Sequence, residues 1–310
     1  MVKHLEGLGY EVYTWGRPHS NAIIDIAKNS HVCIAPNDEE MMIKELNKFQ
    51  PNQIYHLAGF SSVSESWKRQ AEVFEANVIN TVHLLEAIRK SQIRETARII
   101  ITGSSEEYGR IDARMPISEA SQNNPISPYG VSKLTVNLLT NHYFNAHNIN
   151  VIHVRPFNHI GPGQRLGFVT SDFAKQIAEI EDHIIDPVVR VGNLSSERDF
   201  TDVRDIVQGY EMLAVSGEAG QTYNVCSGKP VSIQSILEMY IQLSFRKDIQ
   251  IIKDEKLFRP IDIPFYVGDP EKIKKAVNWS NRIPLVKSLD DVLNYWREKV
   301  RSSKEFIHNA

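Results

Sequence analysis

A tyrosine and a lysine stand four residues apart in Tyr129-Gly130-Val131-Ser132-Lys133. On a helix that spacing puts both side chains on one face. A phenol alone is a poor acid or base near neutral pH, because its unperturbed pKa is about 10. A lysine cation beside it favours the phenolate and lowers that value. The pair would then serve as a proton-transfer group. The pattern by itself is common, and the plain alternative is an ordinary helix start with a solvated lysine.

Other segments could share a site with this pair. Ile99-Ile100-Ile101-Thr102 is an apolar run that passes into Gly103-Ser104-Ser105-Glu106-Glu107-Tyr108-Gly109. A hydroxyl at the carboxyl end of a strand lies where open α/β sheets bind ligands. Ser104 could there hydrogen-bond a substrate carbonyl oxygen and hold it near Tyr129. The alternative is a serine-rich turn that caps the next segment. Glu106 is either a general base or a solvated acid. His56-Leu57-Ala58-Gly59 also follows an apolar run, and its small residues would let a backbone approach a flat ligand or simply make a tight turn. Arg17 could hold the 2′-phosphate of NADP, and reads equally well as a surface arginine.

The elements that must carry these residues alternate in type. Residues 11–15, 53–57, 97–102 and 150–154 are short and apolar, with β-branched or aromatic side chains. They are expected to be strands buried on both faces of a parallel sheet. Helical patterns cover 38–49, 70–90 and 129–148. In the second, Phe74, Val78, Val82, Leu85 and Ile88 recur at spacings of three and four, on one face. This alternation predicts an α/β fold with a doubly wound, Rossmann-like sheet. After Pro156 the pattern loosens. Helices near 172–181 and 232–244, strands near 188–191 and 249–252, and a helix from 289 suggest a smaller C-terminal α/β lobe. Residues 1–157, with 201–226 returning, would form the nucleotide-binding domain; 158–200 and 227–310 would form the substrate lobe.

The beginning departs from that plan. Residues 1–9 read as the end of a helix stopped by Gly7 and Gly9. Residues 11–15 would then be a second strand. No G-x-G-x-x-G-like segment occurs. The expectation is that the first strand and the Gly-rich turn are missing, through truncation or a misassigned start; a different α/β fold is the alternative.

Composition narrows the function classes. Of 310 residues, 42% are apolar and 24% charged, as in soluble globular proteins. A net charge of -3 argues against nucleic-acid and membrane-surface binding, which need a basic face. No apolar run approaches the roughly 20 residues that span a bilayer, and Met1–Glu6 lacks the apolar core of a signal peptide. A cytoplasmic location is expected. The eleven histidines show no metal-ligand spacing. Cys33 and Cys226 sit in apolar stretches and are expected to be buried free thiols.

Together these motifs resemble the extended short-chain dehydrogenase/reductases. The order is theirs: small-residue turn, Ser104-x-Glu106-x-Tyr108-Gly109, then Tyr129-x-x-x-Lys133. The likeness continues through Arg155-Pro156-Phe157-Asn158-His159, Gly192-Asn193-Leu194 with Arg198-Asp199-Phe200, and Phe258-Arg259-Pro260. Phe157-Asn158-His159 and Phe168-Val169-Thr170 are similar to the GDP-mannose branch, which holds 4,6-dehydratases and 4-keto-6-deoxy-hexose reductases. Ile160-Gly161-Pro162-Gly163-Gln164, and the short segment after the second strand, are similar to the reductases. Ala35 stands where that family has an acidic adenine contact, with Asp38 a few residues on.

The resemblance implies NADP(H), with NAD(H) as the alternative, and a GDP-sugar substrate. It implies that Tyr129 is the proton donor to the sugar's C4 oxygen, that Lys133 lowers its pKa and binds the nicotinamide ribose, and that Ser104 bonds the same oxygen. Leu57, Ala58 and Gly59 would line the cofactor, with His159 near its nicotinamide end. Asn158, Asn193, Arg198 and Arg259 would hold the nucleotide diphosphate. The expected reaction is reduction of a GDP-4-keto-6-deoxy-hexose to GDP-D-rhamnose. GDP-mannose 4,6-dehydration, with Glu106 as extra base, is the second reading, and a non-catalytic NADP-binding sensor the third. A homodimer through a four-helix contact is the family norm.

Overall fold

A computed structural model describes residues 1–16, 31–111, 114–258 and 263–308. Arg17 and Arg259 lie outside the described residues. Helix α1 (Val2–Gly7) ends at Leu8, and Gly9 follows at φ +83°, a left-handed position suited to glycine. Strand β1 (Thr14–Gly16) pairs in parallel with β2 (His31–Cys33). Residues 11–13, expected in the strand, precede it. Asp38 starts α2 (Glu39–Phe49), its carboxylate accepting from Met41 N; this is a helix-capping role.

β3 (Gln53–His56) and the short α3 (Val63–Ser66) follow. The single helix expected over 70–90 has three parts: α4 (Gln70–Phe74), a π-helical turn Glu75–Ile79, and α5 (Asn80–Lys90). Next come β4 (Arg98–Thr102) and α6 (Pro128–His147). Ser127 caps α6 by accepting from Gly130 N, Pro128 opens it, and Asn148 closes it in the left-handed region. Then follow β5 (Val151–Pro156), β6 (Asn158–Ile160), α7 (Val169–Glu181), β7 (Val188–Val191) and β8 (Glu197–Asp202). The chain continues through α8 (Val203–Ser216), β9 (Thr222–Val225), β10 (Pro230–Ser232), α9 (Ile233–Leu243) and β11 (Gln250–Lys253). It closes with β12 (Phe265–Tyr266), α10 (Glu271–Val277) and α11 (Leu285–His308). The last helix thus starts before Leu289.

The principal sheet has the order β3-β4-β5-β9, all parallel. Alternation along β4 sorts its side chains between two cores. Ile99 and Ile101 pack with Leu84, Leu85, Ile88 and Val136 of the helices on one face. Ile100 packs with Ile206, Tyr210 and Leu213 of α8 on the other. Helices on both faces of a parallel sheet are the doubly wound arrangement that the sequence pattern implies.

Burial on both faces does not extend to every expected strand. β4 and β5 are largely buried, whereas β1 and β3 are only half-buried. Among the described residues, no strand pairing joins β1 and β2 to β3. An edge strand has a neighbour on one side only, so water reaches its backbone and side chains. The expectation for the cysteines also needs correction. Cys226 is buried, but Cys33 is exposed at the end of β2.

Past β5, a separate core gathers Phe173 and Ile177 of α7, Ile236 and Tyr240 of α9, and Leu289 and Leu293 of α11. β8 lies between β10 and β12, and β6 also pairs with it. β11 pairs only with β7 among the described residues and is exposed along its length.

Candidate active site

β4 ends at Thr102, and past Gly103 the chain presents Ser104 in extended conformation. The following 3-10 turn, Ser105–Glu107, fixes it in a capping box. Ser104 Oγ accepts from Glu106 N at 3.2 Å. The hydroxyl proton remains for donation, and the Tyr129 phenol is within its reach. Tyr129 lies in the first turn of α6 and Lys133 one turn on, both buried. Lys133 Nζ donates to the Thr102 carbonyl at 2.8 Å and stands 5.9 Å from the Tyr129 ring centre. Ser104, Tyr129 and Lys133 therefore meet at one corner of the sheet. Glu106 is half-buried there, close enough for its charge to act on Tyr129.

The electrostatics differ from the expected lowering of the phenol by the lysine. The Tyr129 phenol is pushed up, above its ordinary value. Burial is the largest cause, the Glu106 and Glu107 charges add to it, and the Ser104 hydroxyl opposes it. Removing the phenolate from water costs more than its surroundings return. Burial also pushes the Lys133 ammonium down to about 8. In this state Tyr129 is a protonated phenol at neutral pH, which suits a donor rather than a base.

Leu57, Ala58 and Gly59 are exposed where β3 ends. Any Cβ at Gly59 would fall 2.7 Å from Asn77 Oδ1, so only glycine lets this turn pass so close. Asn77 is a residue that sequence reasoning missed. Its Oδ1 accepts from Phe60 N at 2.6 Å and its Nδ2 donates to Ser132 Oγ at 2.9 Å. Ser132 Oγ in turn donates to the Tyr129 carbonyl at 2.7 Å. Asn77 thus ties the turn after β3 to α6 from within the π-helical turn. The available signal was a pair of polar residues, Asn77 and Thr81, on an otherwise apolar helical face. His56 is pushed down to about 4, by burial and then by the Lys133 charge, and its Nε2 lies 2.9 Å from Thr81 Oγ1.

Among the described residues, the remaining predicted ones sit on β6, on β8 and in the segment that leads into β8. Asn158 and His159 are exposed on β6, whose backbone pairs with Phe200 and Thr201 of β8. Arg198 of β8 donates through one guanidinium nitrogen to the carbonyls of Glu197 and Ile263, at 2.9 and 2.6 Å. Asn193 Oδ1 accepts from Ser195 N and Oγ, at 3.0 and 2.8 Å. Asp199, also missed, is buried and accepts from Ser227 N and Oγ, Gly228 N and Gly268 N. It fixes β8 to two loops. Tyr266 of β12 donates to the Ser105 carbonyl, which joins β12 to the Ser104 turn.

A doubly wound sheet with a serine, a tyrosine and a lysine at its carboxyl edge defines an extended short-chain dehydrogenase/reductase, as the motifs implied. The profile of the GDP-mannose 4,6 dehydratase family matches residues 4–292, and the chain belongs to that family. A GDP-6-deoxy-D-mannose reductase of Pseudomonas aeruginosa is 32% identical over 252 residues, 81% of this chain and 82% of that protein. A GDP-mannose 4,6 dehydratase of Drosophila melanogaster is 25% identical over 284 residues, 86% of this chain and 71% of that one. Among solved structures, RMD from Pseudomonas aeruginosa complexed with NADPH has a TM-score of 0.82 at 28% identity, covering 96% of this chain and 95% of that one. A UDP-glucose 4-epimerase of Thermotoga maritima, with a TM-score of 0.86 at 22% identity, shares the fold over 96% of this chain and 94% of that one. Membership places the chain among NAD(P)-dependent enzymes acting on nucleotide sugars, of reductase or dehydratase type. Among the described residues, no helix is long and apolar enough to cross a membrane.

Proposed function

We propose that this protein reduces the C4 keto group of GDP-6-deoxy-D-lyxo-hexos-4-ulose, using NADP(H), to give GDP-D-rhamnose. The observation that carries this reading is the meeting of Ser104, protonated Tyr129 and Lys133 at the carboxyl end of the sheet. Ser104 and Tyr129 would both donate to the C4 oxygen, and Tyr129 would surrender its proton as the carbonyl becomes an alcohol. The nicotinamide, when bound, would supply the hydride. This corner of the sheet suits a dinucleotide. Leu57, Ala58 and Gly59 are open to it, and the Lys133 ammonium, with one N–H on Thr102, has further donors for a ribose hydroxyl. Arg17 is assigned to the 2′-phosphate and His159 to the nicotinamide end.

The substrate's diphosphate falls to Arg198, Arg259, Asn158 and Asn193. Arginine suits it because its planar fork bonds two oxygens at once. Residues 158–200 and 227–310 form the substrate lobe in this reading, and 1–157 with 201–226 the cofactor domain. The reductase-like Gly161-Pro162-Gly163-Gln164 is a turn locked to α7. Gln164 accepts there from Thr170 Oγ1 through its side chain and from Ser171 Oγ through its carbonyl. A cytoplasmic homodimer belongs to the same proposal, and the exposed Ile79, Val131 and Leu138 on the helices at 70–90 and 128–147 support it.

Glu106 keeps 4,6-dehydration as the second reading, since elimination needs a base near the sugar and Glu106 is close to Tyr129. Two incubations separate them. Loss of NADPH absorbance with the 4-keto-6-deoxy GDP-sugar, and no conversion of GDP-mannose, is expected. Conversion of GDP-mannose to the keto sugar without net NADPH use would instead establish the dehydratase. Binding without turnover in both would leave a sensor.

A further inference from the structure

We infer that Glu107 is the positioning residue for Ser104, held in place by His153 and Arg155; the inference rests on the role proposed for Ser104. All three side chains are buried. Glu107 Oε1 accepts from Ser104 N at 2.9 Å and lies 2.8 Å from His153 Nε2. Its other oxygen accepts from Arg155 Nε at 2.7 Å. Glu107 N also donates to the Ser104 carbonyl at 3.2 Å. Both backbone polar groups of Ser104 therefore end on one residue. With Ser104 Oγ already accepting from Glu106 N, the hydroxyl proton is the freedom that remains.

The clamp reaches across the sheet. His153 and Arg155 belong to β5, and the Arg155 guanidinium lies 4.5 Å from the Tyr108 ring centre. Tyr108 donates to Asn224 Oδ1 on β9 at 2.7 Å. Packing is tight against the chain leading to Ser104. A Cβ at Gly103 would fall 2.1 Å from His153 Nε2 and 2.2 Å from Glu107 Oε1. A buried ion pair is a poor way to gain stability alone, because desolvation offsets the attraction. It is a good way to fix geometry, and an oxyanion donor needs fixed geometry before the reaction starts. Glu107 reaches no reacting atom in this arrangement; its charge is felt at Tyr129, and its positioning effect passes through Ser104.

The test is a double-mutant cycle on the full chain with the GDP-keto-sugar and NADPH. E107Q is expected to lower kcat by about ten- to a hundredfold, the scale of an ångström-sized misplacement, with both KM values within about threefold of the wild type. In an S104A background E107Q should change kcat by no more than roughly twofold, since coupled residues are non-additive. H153Q, which keeps a donor toward Glu107, should retain more activity than H153L. An E107Q effect of equal size in both backgrounds would make Glu107 merely structural and overturn the inference. A change in KM alone would overturn it too. Should E107Q fail to fold with Arg155 unpaired, E107Q/R155M removes both charges: kcat at the S104A level supports the inference, and kcat at the wild-type level overturns it. Wild-type kcat in S104A would remove the role of Ser104 and end this inference with it, independently of any Glu107 variant.

Discussion

The residues at the carboxyl end of the principal sheet and those on and before β6 and β8 are held differently. On the sheet side Ser104, Tyr129 and Lys133 are buried: Ser104 is held by Glu107 within its own turn, the Tyr129 carbonyl accepts from Ser132 of the same helix, and Lys133 reaches the Thr102 carbonyl of β4. On β6 Asn158 and His159 are exposed, while Asn193 accepts from Ser195 and Arg198 of β8 donates to the carbonyls of Glu197 and Ile263. The difference matches the two tasks proposed for these residues. Proton transfer needs groups placed before the substrate arrives. Holding a diphosphate needs long, charged side chains that can exchange local bonds for ligand bonds at modest cost.

The sharpest way to break this comparison is Tyr129→Phe. It keeps the ring and removes the proton, so turnover should fall by about 10²–10⁴-fold while GDP-sugar binding is unchanged. Wild-type rates in a steady-state assay would end the assignment.

Lys133→Met should lose turnover yet gain stability. The buried ammonium sits at about 8 instead of the usual 10.5. Between those values the unfolded chain binds more protons than the fold, so wild-type stability rises with pH across that window. Below it the charged lysine costs the fold about 3 kcal/mol. The variant should therefore melt higher than the wild type at pH 7, with the gap closing toward pH 10.5. A gap that stays constant with pH would contradict this.

Next in size, Arg198→Ala and Arg259→Ala should weaken GDP-sugar binding by roughly 1.5–3 kcal/mol each and leave NADPH binding alone. Titration calorimetry decides it, and unchanged GDP affinity in both would return the arginines to structural roles. The smallest effect belongs to Asn193→Ala. About 1 kcal/mol of GDP-sugar affinity should go, with kcat unaltered. A kcat loss approaching that of Tyr129→Phe would erase the distinction between the two groups of residues.

Much of this was legible in the sequence, because it is local. Alternating apolar runs and periodic helices define the doubly wound fold. Ser127, Pro128 and Asn148 mark the ends of α6 by their own backbone preferences. The four-residue spacing of Tyr129 and Lys133 is set by the helix itself. What tertiary structure decided depends on groups far apart in the chain. Asn77 reaches Ser132 across 55 positions, and Glu107 reaches His153 and Arg155 across 46 and 48. Half-burial of β3 and exposure of Cys33 follow from which strands find neighbours, which no local pattern records. The direction of the Tyr129 shift is the clearest case. The local pair Tyr129 and Lys133 argues for a lowered phenol, but desolvation is a sum over everything packed around the ring. That sum exists only once the chain has folded, and here it pushes the phenol up.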